Sequence, residues 1–176
     1  MGRLQPSKGV FELIEIFRRL LEHHPDLGLT IIGEGDISEK LKEMIVKYGL
    51  QSKVMLTGSL PYQDVFKFYR SSTIFVFPTK SEVFPLVSIE AMACGLPVVA
   101  SDIPALREST GGNAILLPFE DLDLWVDTLS KLLEDEKLRN ELTIKGVNWA
   151  KGFTWEEKAE EYEKSLFKAR EIFLKE

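Results

Sequence analysis

The sequence predicts an α/β fold, a doubly wound parallel sheet with helices on both faces. Three observations predict it. Along residues 7–135 the hydrophobic pattern switches repeatedly between helical spacing and short apolar runs. Those runs show no polar–apolar alternation, which marks strands covered on both faces. Runs and helical segments take turns, as they do where crossover helices join parallel neighbours.

The segment SKGVFELIEIFRRLLEHHP, residues 7–25, opens the series. Val10, Phe11, Ile14, Phe17, Leu20 and Leu21 share one helical stripe, Ser7 is the expected N-cap, and Pro25 closes the segment. LGLTIIGEGD follows as an apolar strand ending in glycines, ISEKLKEMIVKYGL as an amphipathic helix stopped by Gly49, and KVMLTGS as a strand. YQDVFKFYRSS reads as helix, TIFVFP as a buried strand, PLVSIEAMACG as a helix with Gly95 past its end, and LPVVAS as a strand. NAILLP, residues 113–118, adds a strand, and DLDLWVDTLSKLLED a helix. Residues 136–176 are helical and highly charged, with a long terminal helix over 154–175 that Thr154 caps together with Glu157. One place breaks the pattern. Only Met1 precedes Gly2-Arg3, where an α/β unit normally has its first strand, so the expectation is a sheet that starts one strand late or a chain that is half of something longer.

A chain of 176 residues is expected to form a single domain. With 22 basic and 28 acidic side chains the net charge is -6, which argues against a broad basic face for nucleic acid. An anionic ligand would need a local site. The single cysteine, Cys94, cannot support a disulfide framework and points to a reducing compartment. No apolar run approaches the roughly 20 residues of a membrane span, and MGRLQPSKG lacks a signal-peptide core. The expected location is cytoplasmic, at most peripheral at the inner membrane surface.

In open α/β sheets, ligands sit where loops leave the carboxyl ends of strands, and helix N-termini favour anions. TIFVFP delivers the chain into TKSEVFP, and the next helix is expected to start near Pro85, with free backbone N–H groups at Leu86 and Val87. Glu90, one turn beyond Leu86, is aimed back toward that N-terminus, where a carboxylate can grip a ribose hydroxyl pair beside a diphosphate. Glu82, in the loop before the helix, reaches the other side, toward a second hydroxyl-rich ring. A random glutamate is usually a solvated surface charge. Here Leu86, Val87, Ile89, Ala91, Met92 and Ala93 surround Glu90, so the helix reads as buried all round. Arg3 and Lys8, in GRLQPSKG, could supply the cations a diphosphate needs, although two basic residues standing alone read first as solvent-facing. GEGD at 33–36 is no dinucleotide fingerprint, because Ser38 replaces the third glycine, and it reads as a tight turn. Neither a Walker loop, a zinc-spaced Cys/His cluster nor a G-x-S-x-G elbow is present in the sequence, and His23 and His24 read as helix C-terminal cations.

Taken together, GRLQPSKG, IIGEGD, VMLTGSL and SEVFPLVSIEAMACGLPVVASD resemble the C-terminal, donor-binding domain of retaining GT-B glycosyltransferases of group 1, which include glycogen synthases and bacterial mannosyltransferases. The pairing of Glu82 with Glu90 is the most specific mark. The resemblance implies a Rossmann-like half of a GT-B fold over residues 1–176, with the N-terminal acceptor domain absent and the terminal helix packing on that missing half. It implies that Glu82 contacts donor-sugar hydroxyls, that Glu90 holds the ribose, and that Arg3 and Lys8 bind the diphosphate and stabilise the leaving group. Backbone near Leu60 would contact the nucleobase, while Phe84, Leu86 and Val87 belong to the phosphate loop and helix start. The implied reaction is hexosyl transfer, mannosyl or glucosyl, from a UDP-, GDP- or ADP-sugar to a sugar or lipid-linked glycan, by same-face attack with retention. No metal or other cofactor is expected, and the isolated chain would be inactive alone. Where the family often has Glu-Gly-Phe-Gly this chain has Glu82-Val83-Phe84-Pro85, which removes one amide from the phosphate loop. Two alternatives stand beside this reading. One is a noncatalytic nucleotide- or sugar-binding module that recruits a partner through its charged terminal helix. The other is an epimerase or phosphorylase of similar build, although no lysine is singled out for pyridoxal phosphate.

Overall fold

The structure is a computed structural model that describes residues 1–173. Five short strands alternate with helices: β1 (Leu29–Ile31), β2 (Val54–Leu56), β3 (Phe75–Phe77), β4 (Val98–Ser101) and β5 (Ile115–Leu117). All pairings between these strands are parallel, with Leu29 opposite Val54, Phe75 opposite Val98 and Val99 opposite Ile115. They form two groups, a two-stranded sheet β1-β2 and a three-stranded sheet β3-β4-β5. The apolar runs predict this parallel, helix-covered architecture; the division into two sheets is a finding of the structure.

Helix α1 (Val10–Leu20) runs between the two groups. Val10, Ile14 and Phe17 pack into a core with β1, β2 and α2 (Ser38–Lys47), while Ile16 and Leu20 face Val99, Leu117, Trp125 and Leu129. Ser7 does not cap it. Residues Pro6–Lys8 form a short 3-10 turn, and α1 begins after Gly9. On the other face of β3 and β4 lie α3 (Tyr62–Ser71), α4 (Leu86–Ala93) and α5 (Pro104–Thr110), with Val65, Tyr69, Ile89, Met92, Val98 and Leu106 in one core. The sequence pattern did not register α5, since seven residues are too few to display a helical period.

Helices α6 (Leu122–Glu134), α7 (Glu136–Ala150) and α8 (Trp155–Phe173) complete the chain. Asp121 and Asp135 cap the first two through the N–H groups of Leu124 and Leu138. Thr154 accepts the Glu157 N–H at 3.2 Å, the capping bond expected at the start of α8. Along α8 the residues Trp155, Tyr162, Leu166 and Phe173 are all exposed and recur at helical spacing on one stripe. The end of the expected terminal helix, residues 174 and 175, lies outside the described residues.

Candidate functional site

The site is built where two glycine-dependent approaches hold the start of the chain, one against the carboxyl end of β3 and the loop that leads to α4, the other against the GEGD turn that follows β1. Gly9 has φ +63°, and a Cβ there would stand 1.7 Å from the Pro78 carbonyl oxygen, so only glycine lets the PSKG turn lie on the end of β3. Thr79, fully buried, donates from its single hydroxyl among three acceptors, Ser7 O at 3.2 Å, Ser81 O at 3.3 Å and Glu82 Oε1 at 3.1 Å. The Lys80 N–H adds a 2.8 Å bond to Ser7 O. Lys8 and Glu82 meet as a result. Lys8 Nζ lies 2.5 Å from Glu82 Oε1, with the two side chains only 24% and 13% exposed, and 6.0 Å from the centroid of the Phe77 ring.

Close approach also explains GEGD. The Gly2 N–H donates to Ile32 O at 3.0 Å and the Leu4 N–H to Glu34 O at 2.8 Å. A Cβ on Gly33 would stand 1.9 Å from Gly2 O, so this turn is the seat on which the basic loop rests. Arg3 lies on the rim, 67% exposed, and its charged partner among the described residues is Asp36, at 3.7 Å.

Glu90 is held by two phenols. Tyr62 donates to Oε1 at 3.0 Å and Tyr69 to Oε2 at 3.2 Å. Burial, followed by the Glu90 charge, pushes the Tyr69 hydroxyl above its ordinary range, so it remains a protonated donor at any working pH. Burial and the Glu90 hydrogen bond raise Tyr62 in the same direction. Neither tyrosine stood out in the sequence, where aromatics at helical spacing on YQDVFKFYRSS read as core.

Two local expectations need correction. Helix α4 is not buried all round: Leu86 is 58% exposed, Ala93 is exposed and Glu90 is half-buried, while Ser88, Ile89, Ala91 and Met92 make up its buried face. The Leu86 N–H is not free, since it donates to Phe84 O at 3.1 Å, and Pro85 occupies the N-cap; the Val87 amide has no intramolecular acceptor among the described residues. Phe84 turns toward the end of α7, its ring centroid 6.3 Å from that of Phe153.

Leu60 lines an open groove of about 790 Å3 together with Arg3, Gly33, Asp36, Ser59 and Tyr62. Tyr62 links that groove to Glu90. The structure therefore brings Lys8 directly onto Glu82 and gathers Arg3, Leu60 and Tyr62 around one groove, while Arg3 makes no ion pair with either glutamate. Lys8 paired with Glu82 ahead of α4, with Glu90 carried by the helix, suits a ligand that combines an anion with hydroxyl-bearing rings. Among the described residues no three His, Cys, Asp or Glu side chains are grouped to hold a metal ion.

Solved structures of GT-B glycosyltransferases share this fold. The chain matches the pneumococcal O-GlcNAc transferase GtfA, solved with UDP and GlcNAc, with a TM-score of 0.82 at 21% identity, covering 95% of this chain and 35% of that one. It matches the C-terminal domain of a glycosyl transferase group 1 family protein (LpcC) from Francisella tularensis with a TM-score of 0.77 at 26% identity, covering 87% of this chain and 83% of that one. The α/β unit is thus of the kind that makes up one half of a GT-B glycosyltransferase. The family model for glycosyl transferases group 1 matches residues 1–149, and the chain belongs to that family. A curated relative, D-inositol 3-phosphate glycosyltransferase of Corynebacterium efficiens, is 32% identical over 163 residues, 88% of this chain and 38% of that protein. The chain spans about two fifths of the length of the curated relatives it matches.

Proposed function

We propose that this domain binds a nucleotide-diphosphate sugar and, together with an N-terminal domain that carries the acceptor site, transfers the hexosyl group with retention of anomeric configuration. Lys8 and Arg3 receive the diphosphate and stabilise the charge that develops on it as the glycosidic bond breaks. The unpaired Val87 amide at the first turn of α4 adds a neutral donor. Glu90, anchored by Tyr62 and Tyr69, takes the ribose hydroxyls, and Glu82 takes hydroxyls of the donor sugar. The groove at Leu60 receives the base. UDP-, GDP- and ADP-sugars are the candidate donors; the UDP and GlcNAc of the pneumococcal neighbour support the first. The acceptor is a sugar or a lipid-linked glycan, and the site of action is the cytoplasm or the inner membrane surface. No described helix is long and apolar enough to cross a membrane.

The observation that carries this reading is the pairing of Lys8 with Glu82 one loop before the helix that bears Glu90. Before the donor arrives, Glu82 satisfies the lysine. An arriving phosphate competes for that ammonium and releases the carboxylate toward the sugar. The exposed stripe Trp155, Tyr162, Leu166 and Phe173 on α8 supports docking of this helix on the other half. Titration calorimetry with UDP, GDP and ADP tests the donor site. Binding of at least one at submillimolar affinity is expected, and no heat from any of them at millimolar concentration removes the reading.

A further inference from the structure

Tyr62 is the first residue of α3, lines the groove at Leu60 and is 61% exposed. A tyrosine on a protein surface ordinarily keeps its rotamer freedom, and ordering it costs free energy that burial would offset. Here the side chain is ordered while most of it stays open. Its hydroxyl donates to Glu90 Oε1 at 3.0 Å, and its ring stands edge-to-face with Phe66, one turn further along α3, with centroids 5.0 Å apart and planes at 84°. Both contacts fix the angle of the ring, and neither covers it.

The phenol spans two features assigned to the donor. Its oxygen touches Glu90, the carboxylate that takes the ribose hydroxyls, and its ring walls the groove that receives the base. A nucleoside has the same layout, a hydroxyl pair on the sugar beside a flat ring. Glu90 can serve the ribose without giving up Tyr62, because an ionised carboxylate offers about four lone-pair sites and the two tyrosines engage one oxygen each. Every nucleobase presents a π-face to an aromatic side chain, and a ring whose rotamer is already set loses less entropy on stacking.

We infer that Tyr62 is the stacking platform for the base of the donor nucleotide: its ring lies against the face of the base, and its hydroxyl, held by Glu90, sets the angle of that ring. The inference rests on the donor-binding reading above and assigns to it a residue outside the glutamate and cation set. Stacking is tolerant of base identity, so Tyr62 sets affinity for the nucleotide, and the choice among uracil, guanine and adenine falls to other atoms of the groove.

The test uses whichever of UDP, GDP and ADP binds the parent most tightly, with calorimetry for affinity and proton NMR of the ligand for stacking. Tyr62→Leu, which removes the ring, is expected to weaken binding at least about tenfold, whereas Tyr62→Phe, which removes only the hydroxyl, stays within about threefold of the parent. On the parent and on Tyr62→Phe the base protons move upfield under the ring current of the aromatic face, and on Tyr62→Leu they do not. Base protons that do not move upfield on the parent overturn the inference, a result that needs no variant to fold. Unchanged affinity in Tyr62→Leu, or equal losses in the two variants, also overturns it while leaving the donor-binding reading in place. No binding of any of the three nucleotides to the parent removes that reading and the inference with it.

Discussion

Lys8 and Glu82 are 74 positions apart in sequence, and their charged atoms lie 2.5 Å apart in the structure. A half-buried pair of this kind limits each partner's freedom to act alone. In the proposed reading, the lysine reaches a phosphate by sharing or releasing Oε1 of the carboxylate.

Glu82→Gln is therefore expected to separate the two halves of the donor. Binding of the bare nucleotide diphosphate stays within about threefold of the parent or tightens, because the lysine is no longer neutralised, whereas affinity for the matching nucleotide sugar falls roughly tenfold, about 1.4 kcal/mol. Calorimetry on both ligands checks this. Equal losses would place Glu82 outside the sugar contact.

Glu90 holds two phenolic donors and, in this account, the ribose hydroxyls as well. Glu90→Ala should abolish the preference for a ribonucleotide over its 2′,3′-dideoxy analogue. Tyr69→Phe removes one donor from a half-buried carboxylate and should cost about 1 kcal/mol in urea unfolding, with a smaller loss of nucleotide affinity.

Gly9→Ala meets both a positive φ and the Pro78 carbonyl at 1.7 Å. A loss of at least about 2 kcal/mol in denaturant unfolding is expected, with nucleotide affinity falling in parallel because Lys8 is the preceding residue. Gly49→Ala, where φ is also positive but no atom stands within 4 Å, should cost about 1 kcal/mol and leave affinity unchanged.

A pH dependence follows from Glu15, far from the site. The Arg18 hydrogen bond, with Arg19 adding to it, pulls this carboxyl from 4.5 down to about 2. A depressed folded-state value means stability that is present above the unfolded-state pKa and lost as pH falls through the folded-state one, so the window runs from about 4.5 down to about 2. Because the group is near the surface, Glu15→Gln should cost no more than about 1 kcal/mol at pH 7, and the difference from the parent should shrink across that window. Urea midpoints at pH 7, 4 and 2.5 measure it.

Much of the site was legible because one continuous stretch holds a strand end, a loop and a helix start, and Glu82 and Glu90 fall on either side of that start. The strands were legible for the same local reason, as apolar runs without alternation. What escaped depends on partners distant in sequence. Tyr62 and Tyr69 look like core aromatics until α3 is laid against α4, and the role of GEGD emerges only when Gly2 and Leu4 are seen against it. Ser7 looks like a cap until Gly9 turns the chain, and the division of the sheet is invisible to a pattern that marks strands but not their neighbours.

The comparison of Lys8→Ala with the parent, on whichever of UDP, GDP and ADP binds most tightly and on its nucleoside, bears most directly on the central claim that Lys8 exists to grip a diphosphate. The account predicts that affinity for the diphosphate falls at least tenfold while affinity for the nucleoside changes less than twofold. Equal losses on the two ligands would contradict it.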